Sequence, residues 1–462
     1  MQARNKKDAS DPMKPQISRT ESQAAELAPE RGRLNSLKVI LVLSTIMALQ
    51  MTSFVMIVPL FARRFNEFGT GVAALGLSAM AYALVSTVTA PFMGALADRF
   101  GRRPLVLGSL AGYVAAFCGY LLAPTAGVLI VLRGITGAFT AALIPAVTGL
   151  ASDLAPDDRR AQWIGFVNGG ASFGWIAGPI AGGMIYDRWG YSAALIVSIV
   201  IAGVTFLVAL LAVPESRLVN ERTSPAAARH PSRGWRKSLQ GSLANLRSSL
   251  PNSMPTFFAL LFICFAVLFA WAFMEPEFMF YAYNDLDWSS SMLGLVMSTF
   301  GVAMMLGEFG FGRLSDRVGR KPIILIGLVL FSAQFLGLAF FSNYLLIAAT
   351  FTIAGLGNAL FDPALTASIL DISPAEHRAR MLGIKYTAGS IGNILGPALV
   401  VLVTSSVSES GIFLMAFGVV LLAILVGLTI KIDVQPSESE AEQAVVSMES
   451  SISHKSLFSG ET

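Results

Sequence analysis

Gly94-Ala95-Leu96-Ala97-Asp98-Arg99-Phe100-Gly101-Arg102-Arg103-Pro104 is a short charged knot between two long apolar runs. It returns as Gly312-Arg313-Leu314-Ser315-Asp316-Arg317-Val318-Gly319-Arg320-Lys321-Pro322. Each copy opens on glycine, sets an aspartate among cations and closes on proline, which suits the first turn of a new helix. Asp98 and Asp316 stand 218 residues apart. Two halves carrying the same knot at the same depth predict an internally duplicated membrane protein.

Composition agrees with that reading. The 462 residues are 54% hydrophobic and only 13% charged, with a mean hydropathy of +0.64; a soluble domain carries about 25% charged residues. The apolar content falls in blocks of about 20 residues, each long enough to cross a hydrocarbon core of roughly 30 Å. The blocks lie near 37–61, 72–96, 104–123, 126–150, 162–186 and 191–213, then 255–282, 291–313, 322–341, 344–368, 382–404 and 411–431. An all-α membrane protein of twelve spans, six in each half, is therefore expected. Six is even, so both halves enter from one side as parallel repeats about an axis along the membrane normal. The same offset pairs Pro145, Asp153, Pro156 and Arg160 with Pro363, Asp371, Pro374 and Arg378. It also pairs Gly165, Gly174, Gly178 and Pro179 with Gly383, Gly392, Gly396 and Pro397.

The chain divides into a polar tail at 1–36, a six-helix bundle at 37–213, a basic linker at 214–254, a second bundle at 255–431 and an acidic, Ser-rich tail at 432–462. Both tails are expected to be disordered. Alternate loops hold 18 cations against 3, the three being Arg63, Arg64 and Arg188. The positive-inside rule then places both termini and the linker in the cytoplasm of a multi-pass plasma-membrane protein, the inner membrane in a bacterium.

A net charge of +4 with most cations in loops makes nucleic acid a poor reading, and no nucleic-acid partner is expected. Cys118 and Cys264 fall in apolar runs and read as small buried hydrophobes. His230, His377 and His454 lie in connections or the tail, so a proton carrier at membrane depth must be a carboxylate. There is no metal-ligand cluster, phosphate loop or nucleophile paired with a base. No catalytic chemistry, metal or cofactor is expected. The expected partners are a small-molecule substrate and the lipid bilayer, for a chain acting as a monomer.

At this point residues 37–431 resemble the major facilitator superfamily. The first knot is similar to the family's signature loop between the second and third spans, here Gly94, Asp98, Arg99, Gly101, Arg102 and Arg103. The repeat copy carries Gly312, Asp316, Arg317, Gly319, Arg320 and Lys321. The resemblance implies a gating loop in which Arg102 approaches Asp153 and Arg320 approaches Asp371. It also implies that Asp98 caps the eleventh span and Asp316 the fifth, latching one end closed. Gly165, Gly174, Gly178, Pro179, Gly182 and Gly183 are similar to the antiporter motif on the fifth span of drug exporters. Small residues there let two helices approach closely, and proline bends the helix; in the second half Val400 and Val401 replace the last two glycines. Arg133 in the fourth span, within Leu132-Arg133-Gly134-Ile135-Thr136-Gly137, resembles the exporter arginine assigned to proton coupling. An arginine among apolar residues is expensive and is expected to face a cavity or a partner.

Carboxylates at depth complete the candidate set. Glu275 and Glu277 lie in the seventh span, Glu308 in the eighth and Asp362 in the tenth, and their repeat mates Ile57, Pro59, Ala90 and Ile144 are uncharged. A carboxyl in apolar surroundings holds its proton more tightly, toward the range where it can take and release it. Glu275, Glu308 and Asp362 with Arg133 are the candidates for proton coupling, Glu275 also for a cationic substrate. Gln50, Phe54, Asn168, Trp175, Trp271, Phe273, Glu275, Asn358, Phe361 and Asn393 are the candidates for a substrate cavity. Several aromatics with one acid suit bulky lipophilic cations through stacking and cation–π contact. The resemblance implies a drug:proton antiporter working by alternating access, with the proton gradient as the driving force. A proton-coupled uptake carrier for a sugar or organic acid is the alternative. Val213-Pro214-Glu215-Ser216-Arg217 is similar to part of the sugar-porter signature, whose remainder is absent.

Overall fold

The computed structural model describes residues 19–156, 159–214, 253–311 and 318–430. The linker at 215–252, the C-terminal tail from 431 and residues 1–18 lie outside the described residues. Among the described residues every regular element is helical. The first half holds α1 (Arg19–Ile57), α2 (Leu60–Glu67), α3 (Gly71–Phe100), α4 (Arg102–Leu122), α5 (Ala126–Leu154) and α6 (Arg160–Ala212). The second holds α7 (Met254–Asn284), α8 (Ser290–Phe311), α9 (Arg320–Phe340), α10 (Tyr344–Asp371), α11 (Arg378–Val403) and α12 (Glu409–Thr429).

Eleven of the described helices or joined helices are long and apolar enough to cross a membrane. One of them is double. At 1.5 Å per residue the 53 residues of α6 would extend about 80 Å, well over twice a hydrocarbon core. Gly190 resolves this by turning the chain back at φ 79°, a conformation open to glycine. The first span is instead interrupted at Pro59, which has no N–H for the ladder, so α1 passes into α2. Twelve crossings result, as the apolar blocks predict. The expected disorder of the whole 1–36 tail is corrected for residues 19–36, which continue α1 backwards. The local reason is the helix-forming run Glu21 to Ala28, rich in Glu, Gln, Ala and Leu.

The repeat is visible in the backbone. Gly101 and Gly319, both in the knots, take φ 94° and φ 98°; Gly101 ends α3 and starts α4, and Gly319 starts α9. A cation follows each of them by two residues and caps the end of the last helix in its own half. Arg103 Nη2 donates to the Leu210 carbonyl at 2.9 Å, and Lys321 Nζ to the Leu428 carbonyl at 2.7 Å. Terminal carbonyls of a helix have no partner within it, and a cation suits that end of the dipole.

Within the first half α1 packs on α6, and α5 lies between α3 and α4; in the second half α7 packs on α11 and α12, and α10 lies between α8 and α9. The two halves meet where α6 packs on α8 and α3 on α11. Aromatic rings fill each half, with Tyr113 among Phe54, Phe117 and Phe139 in one and Phe331 among Phe300, Phe335 and Phe361 in the other.

Candidate substrate cavity and gates

A cavity of about 360 Å³ lies between the halves. The first half contributes Phe54 from α1, Tyr82, Ser86 and Thr87 from α3, Arg133 from α5 and Trp175 from α6; the second contributes Trp271 and Glu275 from α7 with Ser390, Asn393 and Pro397 from α11. Trp271 and Glu275 stand four residues apart and so share one helix face. Ser390, Asn393 and Pro397 follow the same rule on α11. Of the ten sequence candidates for the cavity, Phe54, Trp175, Trp271, Glu275 and Asn393 line it.

The other five are corrected. Phe273 sits two residues from Glu275, about 200° around the helix, and is buried in a stack with Phe269. Phe361 is taken up by the α9–α10 contact, where its backbone meets Gly327 and its ring meets Phe331 edge-on at 5.5 Å. Gln50 is fully buried at a level where Gly174 brings α6 onto Met51 and Thr52, and neither side-chain polar atom has a partner. Asn168 is exposed and Asn358 half-buried, and neither lines the cavity.

Arg133 is only 6% exposed. Its guanidinium carbon lies 4.8 Å from the ring centre of Tyr82, 4.9 Å from that of Phe61 and 5.2 Å from that of Phe54. Rings offer a cation their negative faces, which offsets part of the cost of burial. The ring faces are not ordinary hydrogen-bond acceptors, and Nε and Nη1 have no partner. Among the described residues no carboxylate forms an ion pair with Arg133, although Glu275 acts on it across the cavity. Thus one buried cation from the first half and one acid from the second face a common space without touching.

A second charged group sits in the second half. Lys385 of α11, its side chain 4% exposed, donates to Asp362 Oδ1 at 2.8 Å and to Thr366 Oγ1 at 2.6 Å, both on α10. Glu308 of α8 repels Asp362 as a like charge. Arg133 is therefore not alone as a cation at membrane depth. Lys385 stands in the eleventh apolar block among Gly383, Ile384 and Tyr386, and its repeat mate is Val167. A cation with no counterpart in an otherwise aligned half was the signal available for it. Glu277, the remaining acid, is 5% exposed and accepts from Thr404 Oγ1 at 3.1 Å, away from the cavity.

The knots make the two contacts implied for them. Arg102 Nε meets Asp153 Oδ2 at 2.8 Å and Arg320 Nε meets Asp371 Oδ2 at 3.2 Å. Asp98 is exposed. Gly312, Asp316 and Arg317 lie outside the described residues.

The glycines of α6 divide by depth. Gly174, Gly178 and Gly182 leave no room for a side chain against α1, at Met51, Thr52 and Met56, and Gly183 meets the Ser290 carbonyl of α8. Pro179 offers its carbonyl to Gly294 of α8 in the same close contact. Gly165, at the knot end, is corrected as a packing residue: nothing lies within 4 Å of its place for a side chain.

At the end opposite the knots the halves are joined by polar contacts that the sequence did not reveal. Asp187, in the turn before Gly190, accepts from the Ser290 and Ser291 backbone N–H groups at 2.9 and 2.8 Å and from Ser291 Oγ at 2.5 Å, so it caps α8 from across the interface. Arg63 donates to the Trp288 carbonyl at 2.9 Å and lies 3.9 Å from the Tyr283 ring centre. Asn66 donates to Asn284, its own repeat mate, at 3.1 Å. The bundle is closed at this end.

Two six-helix bundles with a knot in each, meeting through α3, α6, α8 and α11 around a central cavity, match a known family in sequence as well. The sequence profile of the Major Facilitator Superfamily matches residues 40–282 and 256–459. The chain belongs to that superfamily. It is 26% identical over 420 residues to the class B tetracycline resistance protein of Escherichia coli, covering 88% of this chain and 99% of that one. To the multidrug resistance protein MdtG of Klebsiella pneumoniae it is 25% identical, covering 80% and 87%. Among solved structures the nucleoside transporter NupG superposes with a TM-score of 0.69 at 13% identity over 85% of this chain and 99% of that one. The human organic anion transporter MFSD10 gives 0.63 at 19% identity, also over 85% and 99%. These likenesses carry the fold. As a member of the superfamily the chain is a multi-pass membrane transporter of small molecules.

Proposed function

We propose that the protein exports small lipophilic or cationic compounds in exchange for protons by alternating access, as a drug:proton antiporter. The observation that carries this reading is Glu275, half-buried between two tryptophans and two smaller aromatics in a cavity shared by both halves. An acid there can hold either a proton or a cationic group, and competition for one site is what exchange requires. The relatives named for tetracycline and multidrug resistance support the substrate class. With the knots on the cytoplasmic side, as the cation count requires, the described conformation is closed toward the outside and Arg133 and Glu275 wait for cargo from within. No cofactor enters this scheme. Glu308 and Asp362, the latter bound by Lys385, form a second carboxylate group for the proton path.

The test uses purified protein in lipid vesicles with an imposed pH difference. Glu275→Gln fixes the site in a form equivalent to its protonated state. The variant should exchange substrate across the membrane yet fail to accumulate it against a gradient. Full pH-driven accumulation by Glu275→Gln would remove Glu275 from coupling. The direction also discriminates: antiport loads vesicles whose lumen is acid, whereas proton-coupled uptake loads those whose exterior is acid.

A further inference from the structure

The pairing of Arg133 and Glu275 narrows the cargo further, given the exporter reading above. Each is costly where it stands. Arg133 is more than nine-tenths buried, lines the cavity and leaves Nε and Nη1 without partners. Glu275 lines the same cavity from the opposite half and makes no ion pair with Arg133. The guanidinium lies among the rings of Phe54, Phe61 and Tyr82, and its Nε and Nη1 donors are left for something else. A ligand that satisfies one group alone leaves the other buried and unpaired. Sites built around polar groups reject molecules that cannot pair them far more strongly than apolar pockets reject a misfit.

The geometry points to an aromatic zwitterion as the preferred cargo: a flat ring system bearing an anionic oxygen group for Arg133 and a cationic amine for Glu275. Trp175, Trp271 and Tyr82 supply the stacking walls, and about 360 Å³ admits a compound at the small end of the drug range. A planar guanidinium pairs a carboxylate through two parallel N–H donors, which fixes orientation as well as charge. Such a ligand spans the two halves. Its anion is held by α5 and its amine by α7, so binding draws together the walls that must close behind it.

Intrinsic fluorescence reads binding directly, because Trp175 and Trp271 line the cavity. Three matched aromatic probes are titrated into the detergent-purified, full-length protein: phenylalanine naphthylamide as a pure cation, naphthylalanine as a zwitterion and naphthylacetate as a pure anion. The zwitterion is expected to bind most tightly. Arg133→Gln should weaken it at least about tenfold, while leaving the cation unchanged or tighter. Glu275→Gln should do the reverse, weakening zwitterion and cation and sparing the anion. Arg133→Lys, which keeps the charge and loses the fork, guards against loss of fold and should retain part of the zwitterion preference. Equal affinity for cation and zwitterion in the unaltered protein, or an Arg133→Gln variant that folds and still prefers the zwitterion, overturns the inference. Because the readout is binding at one pH, it stands apart from the accumulation test. Zwitterion preference without pH-driven loading would refute antiport and leave this assignment intact.

Discussion

Replacing Asp187 with alanine removes three hydrogen bonds that one carboxylate makes across the interface, to the Ser290 and Ser291 N–H groups and to Ser291 Oγ. The first two are orphan donors at the start of α8, which otherwise bond only to water. Loss of a side-chain cap costs about 0.5–2 kcal/mol, with a further few tenths from the helix dipole. Asp187 is exposed, so a value near 1–2 kcal/mol is appropriate. The cost falls on the closed form alone, because the cap exists only while the halves touch. The ratio of closed to open should therefore drop roughly five- to thirtyfold. A protein that is about 99% closed would become open in about 5–25% of molecules. Spin labels at Glu67 and Asp285, both exposed and on opposite halves, report this by pulsed dipolar distance measurement. A new, longer distance should appear in Asp187→Ala and shrink in Asp187→Asn, which keeps an acceptor. An unchanged distribution in Asp187→Ala would refute the cap as a gate.

Four further outcomes are expected. Asp98→Asn should slow transport and leave substrate affinity nearly intact, as kinetic and binding assays in vesicles will show; lost binding with normal turnover would contradict a latch. Asp362→Asn removes one of the two partners of buried Lys385 and, with Asp362 itself half exposed, should cost about 1–2 kcal/mol, read as a lower detergent unfolding temperature, while adding Lys385→Met should recover most of it. Gly182→Leu must displace the Met56 backbone and should unfold well below the parent, whereas Gly165→Ala meets nothing and should be neutral. A cysteine at Glu67 should react with an impermeant thiol reagent in intact cells and one at Asp153 should not; the opposite pattern would invert the cation-count orientation.

The spans and their duplication were legible because lipid imposes length and apolarity on every crossing, and the knots punctuate them at one offset. The contact of Arg102 with Asp153 came instead from the resemblance to the family, and the repeat carried it over to Arg320 and Asp371. The cavity was only half legible. Trp271 and Glu275 are separable from Phe273 by helix periodicity, but Gln50 and Phe361 are decided by where glycines let neighbouring helices close in. Lys385 was hidden by two cations just before the same block, Arg378 and Arg380, which made a third look like part of the loop. Asp187 and Arg63 could not be found by aligning halves, because their contacts join the halves at positions that are not mates.

Asn66 and Asn284 are the exception, mates that meet each other. A residue that touches its own copy sits on a twofold axis, and that arrangement is the signature of an isologous interface in a homodimer. The contact therefore lies on the pseudo-twofold axis that relates the two six-helix halves of this chain. It also marks where the two units remain interchangeable. At this one pair the halves are alike, whereas Asp187 with Ser290 and Ser291 and Arg63 with Trp288 distinguish one half from the other around it.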